Sequence, residues 1–377
     1  MIIEIRKAGF ANKGAEMMLM SVIEAIRQHY KDPKIVVAPD TQMPFEERIA
    51  CGLWHRFEWR RMGFDFGLLL RFLPLRLRRR FGFILRSEID VVLDAAGFAY
   101  SDQWGDNPTK DLARRISDYK NNNQKYILLP QALGPYSTPE IRAAMAKVIG
   151  DCDLLYARDS FSFAAVNDIL VVDKVKQSPD FTIKLKPVKP NNIQIASFDA
   201  AVALVPNMRM IDKGESSVED YIRFFVDVTS FCLLSGKSPF FLIHETVDDK
   251  GIIDQIQSEL AQKIPTIDVL NGAEAKWIIG QCDFIVASRY HAIVSALAQS
   301  IPAIGTGWSH KYAELFREYG VTELLLSDLS DKSRLNDVLT SATKKHDSIV
   351  KSLSDNSKQV QLQVDEMWSD VFKVIEN

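Results

Sequence analysis

Four side chains in the last third of the chain have the types and spacing to hold a small, multiply charged anion: Arg289, His291, His310 and Lys311. Arg289 and His291 stand just past the apolar run Phe284–Val286, which reads as a buried strand, and a helix is expected to begin there. His310 and Lys311 follow the next such run, Pro302–Gly305. A helix start has unpaired N–H groups and the positive end of the helix dipole, so it favours anions. Cationic side chains at two successive strand ends add charge-assisted hydrogen bonds, and a guanidinium can fork onto a carboxylate or a phosphate. The alternative makes Arg289 and Lys311 solvated surface charges and His291 a buried helix cap. Their occurrence as a set at neighbouring strand ends favours the anion site, with His291 as its acid or base because imidazole titrates nearest neutral pH.

Weaker candidates lie elsewhere. Arg158 follows the apolar strand Asp153–Tyr156 and so also projects from a strand end; the alternative is a local Arg158–Asp159 turn. In Asn12–Glu16, Gly14 could turn backbone N–H groups toward a ligand, with Glu16 on an acceptor hydroxyl. Equally, Asn12 reads as a plain helix cap and Glu16 as a first-turn acid. His244 ends a strand and could line a ligand cleft. No P-loop or dinucleotide fingerprint occurs, no triplet has metal-ligand spacing, and no serine-hydrolase elbow is present.

The elements that must position these residues alternate between strand and helix. Ile2–Ile5, Lys34–Val37, Asp90–Asp94 and Tyr126–Leu129 read as parallel strands, with helices at Glu16–Tyr30, Pro108–Asn121 and Pro139–Gly150. Thr138 is the expected cap of the last, ahead of Pro139 in its first turn. Lys184–Asn192 is a proline- and lysine-rich linker. A second series follows, with strands at Ala201–Val205, Pro239–His244 and Phe284–Ala287 and helices at Val218–Ser235, Gly251–Lys263 and His291–Gln299; the end from about Leu335 is helical. The expected fold is α/β, with two Rossmann-like doubly wound domains facing across a GT-B-like cleft. The first spans 1–185, the second 193–345, and 346–377 forms a helix packing back across both.

Composition agrees with a globular protein of this size: 377 residues, 47% hydrophobic and 25% charged. A net charge of −3 supplies no global field for nucleic acid. The four cysteines are scattered singly and read as small buried hydrophobes in a reducing compartment. The N-terminal run carries charges, unlike a signal peptide, and no apolar run nears the roughly 18–20 residues of a membrane span, so a cytoplasmic protein is expected. Trp54–Arg86 interleaves arginines with aromatic and leucine side chains, which suits peripheral contact with the inner membrane face. Its alternative is a helical hairpin with snorkelling arginine stems.

Several segments together resemble the polysaccharide pyruvyltransferase family. Arg289-Tyr290-His291 is similar to that family's Arg-Leu-His, followed by a small-residue helix, a proline-containing strand and a lysine. ANKGAEMML (Ala11–Leu19), DAAGFAY (Asp94–Tyr100), LPQALGPY (Leu129–Tyr136), YARDS (Tyr156–Ser160), Pro179–Phe181 and Phe241–Glu245 resemble its other segments in order. Departures fall at Ala15, Ala95–Ala96 and Tyr290. The resemblance spans about residues 1–320 and implies transfer of pyruvate from phosphoenolpyruvate to a sugar or lipid-linked oligosaccharide, with no cofactor and no metal. It implies a phosphoenolpyruvate side in the second domain and an acceptor side in the first. Arg158, Arg289, His291 and Lys311 are the implied phosphoenolpyruvate contacts, with His310, Asn12, Gly14, Glu16, Asp94 and His244 around them. The rival expectations are a nucleotide-sugar glycosyltransferase of similar shape and a non-catalytic subunit of a glycan-assembly complex.

Overall fold

A computed structural model describes residues 1–38, 43–57, 60–61, 64–65, 72–193, 197–212, 217–245 and 248–377. The chain divides into two compact units. The first comprises 1–11, 18–181 and 363–377, and the second 12–17 and 182–362. Residues 12–17 and 182–192 count with the second unit, and the C-terminal helix is divided between the two after Leu362.

The first unit contains β1 (Ile2–Arg6), α1 (Lys13–His29), β2 (Lys34–Val37), α2 (Phe45–Ala50), β3 (Trp54–Arg56), β4 (Arg60–Arg61), β5 (Phe64–Asp65), α3 (Leu75–Arg80) and β6 (Phe83–Ile84). It continues with β7 (Val91–Asp94), α4 (Asp106–Lys120), β8 (Lys125–Gln131), α5 (Pro139–Asp151), β9 (Leu154–Ala157), α6 (Ser160–Asn167) and β10 (Val175–Gln177). Eight strands form one parallel sheet in the order β10-β9-β8-β7-β1-β2-β3-β6. The apolar runs become central strands because they are buried on both faces, as Val91–Leu93 and Ile127–Leu129 are. Thr138 caps α5 as expected, its hydroxyl accepting from the N–H of Ile141 at 3.2 Å.

The segment 54–86 is not a helical hairpin. Its ends are sheet strands β3 and β6, and the described residues between them form the short ladder β4–β5 and the short helix α3. Trp54 in β3 and Phe83 and Ile84 in β6 favour a strand over a helix. Residues 58–59, 62–63 and 66–71 of this segment lie outside the described residues.

The second unit contains β11 (Ala201–Val205), α7 (Arg209–Asp212), α8 (Val218–Leu234), β12 (Ser238–Ile243), α9 (Asp248–Glu259), β13 (Thr266–Asp268) and α10 (Gly272–Ile279). It continues with β14 (Phe284–Ala287), α11 (Tyr290–Ala298), β15 (Ala303–Thr306), α12 (His310–Glu318), β16 (Leu325–Leu326) and α13 (Lys332–Lys344). Helix α14 (His346–Glu376) runs from this unit into the first. The six-stranded parallel sheet has the order β13-β12-β11-β14-β15-β16. Both units are thus doubly wound and Rossmann-like. Among the described residues, no helix is long and apolar enough to cross a membrane.

Candidate functional site

In the second sheet the chain moves outward from β11 through β12 and β13, then returns to place β14 on the other side of β11. Ligands of open α/β sheets bind at such a reversal, outside the carboxyl ends of the strands. Ser288, the residue after β14, is fixed on every side. Its N–H donates to the Val205 carbonyl at 3.0 Å, and its carbonyl accepts from Asn207 Nδ2 at 3.1 Å and the Tyr312 hydroxyl at 3.0 Å. Its hydroxyl meets the Tyr221 hydroxyl at 2.8 Å and Thr306 Oγ1 at 2.6 Å. Arg289 comes next, as N-cap of α11, on a backbone that cannot drift.

The Arg289 guanidinium is engaged by two carboxylates. Nη1 donates to Glu245 Oε2 at 2.5 Å, and Nη2 donates to Asp249 Oδ1. The other Asp249 oxygen accepts from the N–H groups of His244 (3.2 Å) and Glu245 (2.7 Å), closing the turn between β12 and α9. Burial raises the Asp249 pKa, and the guanidinium opposes that shift.

His291 lies one residue into α11, with its ring against the first turn of α1. A Cβ on Gly14 would fall inside contact distance of His291 Nδ1, so only glycine leaves the ring its place. Asn12 caps α1, its side-chain oxygen accepting from the Ala15 N–H at 2.9 Å. Glu16 reaches the N-terminus of α10, where Oε2 accepts from the Gly272 N–H at 3.0 Å. The Lys13 N–H donates to the His244 carbonyl at 3.3 Å, and Lys13 Nζ stands 3.5 Å from Asp268. His244 is buried, with its Nε2 unpartnered. Its pKa is held well below 6.5 by burial first, then by the charges of Arg289, Lys13 and His291, so the imidazole is neutral.

At the next strand end, Ser309 precedes α12 and His310 is its first residue. Lys311 Nζ lies among three aromatic rings, 4.8 Å from the centre of Trp308, 5.2 Å from Tyr290 and 5.3 Å from Tyr312. Tyr290 therefore does more than fill space where leucine was expected. It gives Lys311 a ring face and meets both His291 and Tyr312 edge-on.

The second unit thus gathers Asn12, Gly14, Glu16, His244, Arg289 and His291, with His310 and Lys311 at the adjoining strand end. Lys13, Glu245, Asp249 and Trp308 belong to the same cluster and went unread in the sequence. Glu245 adjoins His244, Lys13 lies between Asn12 and Gly14, and Trp308 stands two residues before His310, whereas Asp249 carried no such signal. Arg158 and Asp94 belong to the first unit. Arg158 follows β9 and donates from Nη1 to Asp180 Oδ2 at 3.1 Å, both side chains being buried. Asp159, by contrast, caps α6. Asp94 ends β7, fully buried, and accepts from the hydroxyls of Tyr126 (2.8 Å) and Tyr100 (3.0 Å). Among the described residues no group of three or more His, Cys, Asp or Glu could hold a metal ion.

Comparison with known proteins places the fold in a class. Its whole fold is shared with sugar-nucleotide enzymes. The Anabaena protein HepE, crystallised with UDP and glucose, superposes with a TM-score of 0.63 at 13% identity, over 100% of this chain and 99% of that one. The UDP-GlcNAc 2-epimerase of Neisseria meningitidis, bound to UDP-GlcNAc, gives 0.58 at 11% identity over 97% and 100%. A glycosyltransferase from Rickettsia africae gives 0.58 at 12% over 100% and 97%. At such identities the likeness shows a GT-B-like fold. The family is set by sequence: the model for polysaccharide pyruvyl transferase matches residues 12–310. The chain belongs to that family of transferases.

Proposed function

We propose that the protein transfers pyruvate from phosphoenolpyruvate to a sugar of a surface- or exopolysaccharide precursor, forming a cyclic ketal. The observation that carries this reading is the cationic cluster of the second unit. Arg289 and His291 end β14 beside Lys13, with His310 and Lys311 at the next strand end. Phosphoenolpyruvate carries a carboxylate and a phosphate, and two helix starts plus these side chains match both charges. An incoming carboxylate takes Nη1 of Arg289 from Glu245, whose side chain keeps more solvent contact than that of Asp249.

The chemistry balances with one acid–base group. His291 gives a proton to the methylene carbon, the double-bond pair takes it, and a sugar hydroxyl oxygen bonds to the adjacent carbon. The proton of that hydroxyl returns to the imidazole. The bond from this carbon to the phosphate oxygen then breaks, the phosphate leaving with the electron pair, and a second hydroxyl of the same sugar closes the ring. Its proton leaves with the phosphate. Cations near the departing group stabilise its growing charge.

The acceptor is proposed to be presented at a membrane. The support is α3 and its flanks, where Phe72 is 71% exposed and Phe81 62%, with Leu73, Leu75, Leu77, Arg76, Arg79 and Arg80 also exposed.

Isothermal titration of phosphoenolpyruvate into the wild type, Arg289→Lys and Lys311→Gln tests the donor site. Arg289→Lys keeps a charge against Asp249 but loses the fork, and is expected to bind at least tenfold more weakly. An absence of binding to the wild type, or unchanged affinity in both variants, sinks the reading.

A further inference from the structure

Helix α12 starts in a way that helix physics disfavours. A helix start attracts anions and repels cations, so first turns usually carry an acid behind a capping hydroxyl. Here the first turn has no acid, its first two residues are His310 and Lys311, and Ser309 stands at the N-cap without making the side-chain capping bond. The Ser309 hydroxyl oxygen is buried and has no hydrogen-bond partner. Local rules broken together in this way mark a place shaped for something other than stability.

The lysine is received by an aromatic corner. Its Nζ lies over the faces of Trp308, Tyr290 and Tyr312, at 4.8, 5.2 and 5.3 Å from their centres. All three are inside the roughly 6 Å reach of a cation–π contact. The Tyr290 and Tyr312 rings meet edge to face, 5.6 Å apart and at 80°, so the ammonium sits against two nearly perpendicular walls. Both walls are fixed. Tyr312 is buried, and its hydroxyl donates to the Ser288 carbonyl at 3.0 Å. A Cβ on Gly307 would fall inside contact distance of that ring, so glycine is what lets it lie under the loop. Tyr290 is buried too, as the first residue of α11 and the neighbour of both Arg289 and His291.

A lysine side chain free in solvent spreads over many rotamers, and ordering it on a ligand subtracts from affinity. Rings that order the ammonium beforehand remove that cost. We propose that Tyr290 is a positioning residue for donor binding: with Trp308 and Tyr312 it pins the Lys311 ammonium where the phosphate of the donor arrives. The inference rests on the phosphoenolpyruvate reading for the ligand and on the three rings for the lysine. With the carboxylate on Arg289, as in that reading, the phosphate is the end left for Lys311. Leucine, which the family resemblance leads to at this position, would fill the space without offering a negative face. The tyrosine thus tunes donor affinity in this chain and is no condition for binding.

The test is a double-mutant cycle on the full chain, read by isothermal titration of phosphoenolpyruvate. Tyr290→Leu is expected to bind about three- to tenfold more weakly, and Tyr290→Phe, which keeps a ring face, within about twofold of the wild type. In a Lys311→Gln chain, Tyr290→Leu is expected to change affinity by less than about twofold, because the ammonium it served is gone. A ring that is merely structural, or that acts through His291 at 5.5 Å, would weaken binding equally in both backgrounds. That result overturns the proposal, as does an unchanged affinity of Tyr290→Leu. A second measurement needs no ligand. In the nuclear magnetic resonance spectrum of isotope-labelled lysine side chains, the Lys311 ε-methylene signal is identified by its loss in Lys311→Gln. It is expected upfield of the other lysines in the wild type and in Tyr290→Phe, and moved toward them in Tyr290→Leu. The same signal position in the wild type and Tyr290→Leu overturns the hold on the lysine. If the wild type binds no phosphoenolpyruvate while these shifts appear as expected, the donor reading falls and takes the ligand role of Tyr290 with it, whereas the aromatic hold on Lys311 stands.

Discussion

Arg289 is buried against two carboxylates, so truncating it removes more than a ligand contact. Asp249 would be left with its charge uncompensated, and such losses cost about 3–5 kcal/mol. Arg289→Ala is therefore expected to lower the melting temperature by at least ~6 °C, at about 2–4 °C per kcal/mol for a unit of this size. Asp249→Asn in the same chain is expected to restore part of that loss, and thermal unfolding of both variants checks it. His244 makes a second residue-scale prediction. Its folded pKa lies below the ordinary 6.5, so as pH falls through 6.5 the unfolded chain takes a proton that the native state refuses. Native stability is lost in that direction. His244→Gln should match the wild type's pH dependence above 6.5 and gain on it increasingly below, as denaturant titrations across that range would show. Much of this chemistry was legible as a strand followed by Arg-Tyr-His. The partners were not. Glu245 and Asp249 lie some 40 positions before Arg289, and Arg158 pairs with Asp180 rather than with the neighbouring Asp159. Which charge meets which is decided by tertiary packing.

At the scale of elements, strands with unbroken apolar runs were read correctly. Lys34–Val37, Ala201–Val205 and Phe284–Ala287 keep the bounds that their sequence implies. Strands β3 and β6 were not seen, because three- and two-residue strands among arginines carry no measurable period. Helix α1 begins at Lys13, earlier than its apolar pattern, because Asn12 caps it. That early start brings Gly14 under His291. Gly14→Ala should gain about 0.5–1 kcal/mol of helix propensity and lose about 1–3 kcal/mol to overpacking against the ring. It is expected to destabilise, and pyruvyl transfer should fall with the displaced imidazole. In a His291→Ala chain the same substitution should become neutral or stabilising, which a melting-curve double-mutant cycle reads directly. Helix α3 gives the membrane prediction. Each exposed arginine near an anionic surface is worth about 1 kcal/mol, so replacing Arg76, Arg79 and Arg80 with glutamine should weaken binding to phosphatidylglycerol-containing vesicles about a hundredfold. Equal sedimentation of the triple variant and the wild type would remove the membrane from the account.

At the scale of the molecule, the same two doubly wound units serve proteins crystallised with UDP or UDP-sugars, so the fold by itself does not choose between a nucleotide and phosphoenolpyruvate. What chooses is the side chains at the strand ends. The second unit offers guanidinium, imidazole and ammonium groups around two helix starts, a set suited to a compact ligand whose every end is charged. A ligand that binds only the folded state stabilises it by about 2.7 kcal/mol at a hundredfold excess over its dissociation constant. For units of this size that is a rise of roughly 5–11 °C. Phosphoenolpyruvate is expected to raise the melting temperature in this way, and UDP-GlcNAc at the same concentration to leave it unchanged. The reverse pattern would assign the cluster to a sugar-nucleotide diphosphate and replace pyruvyl transfer with glycosyl transfer.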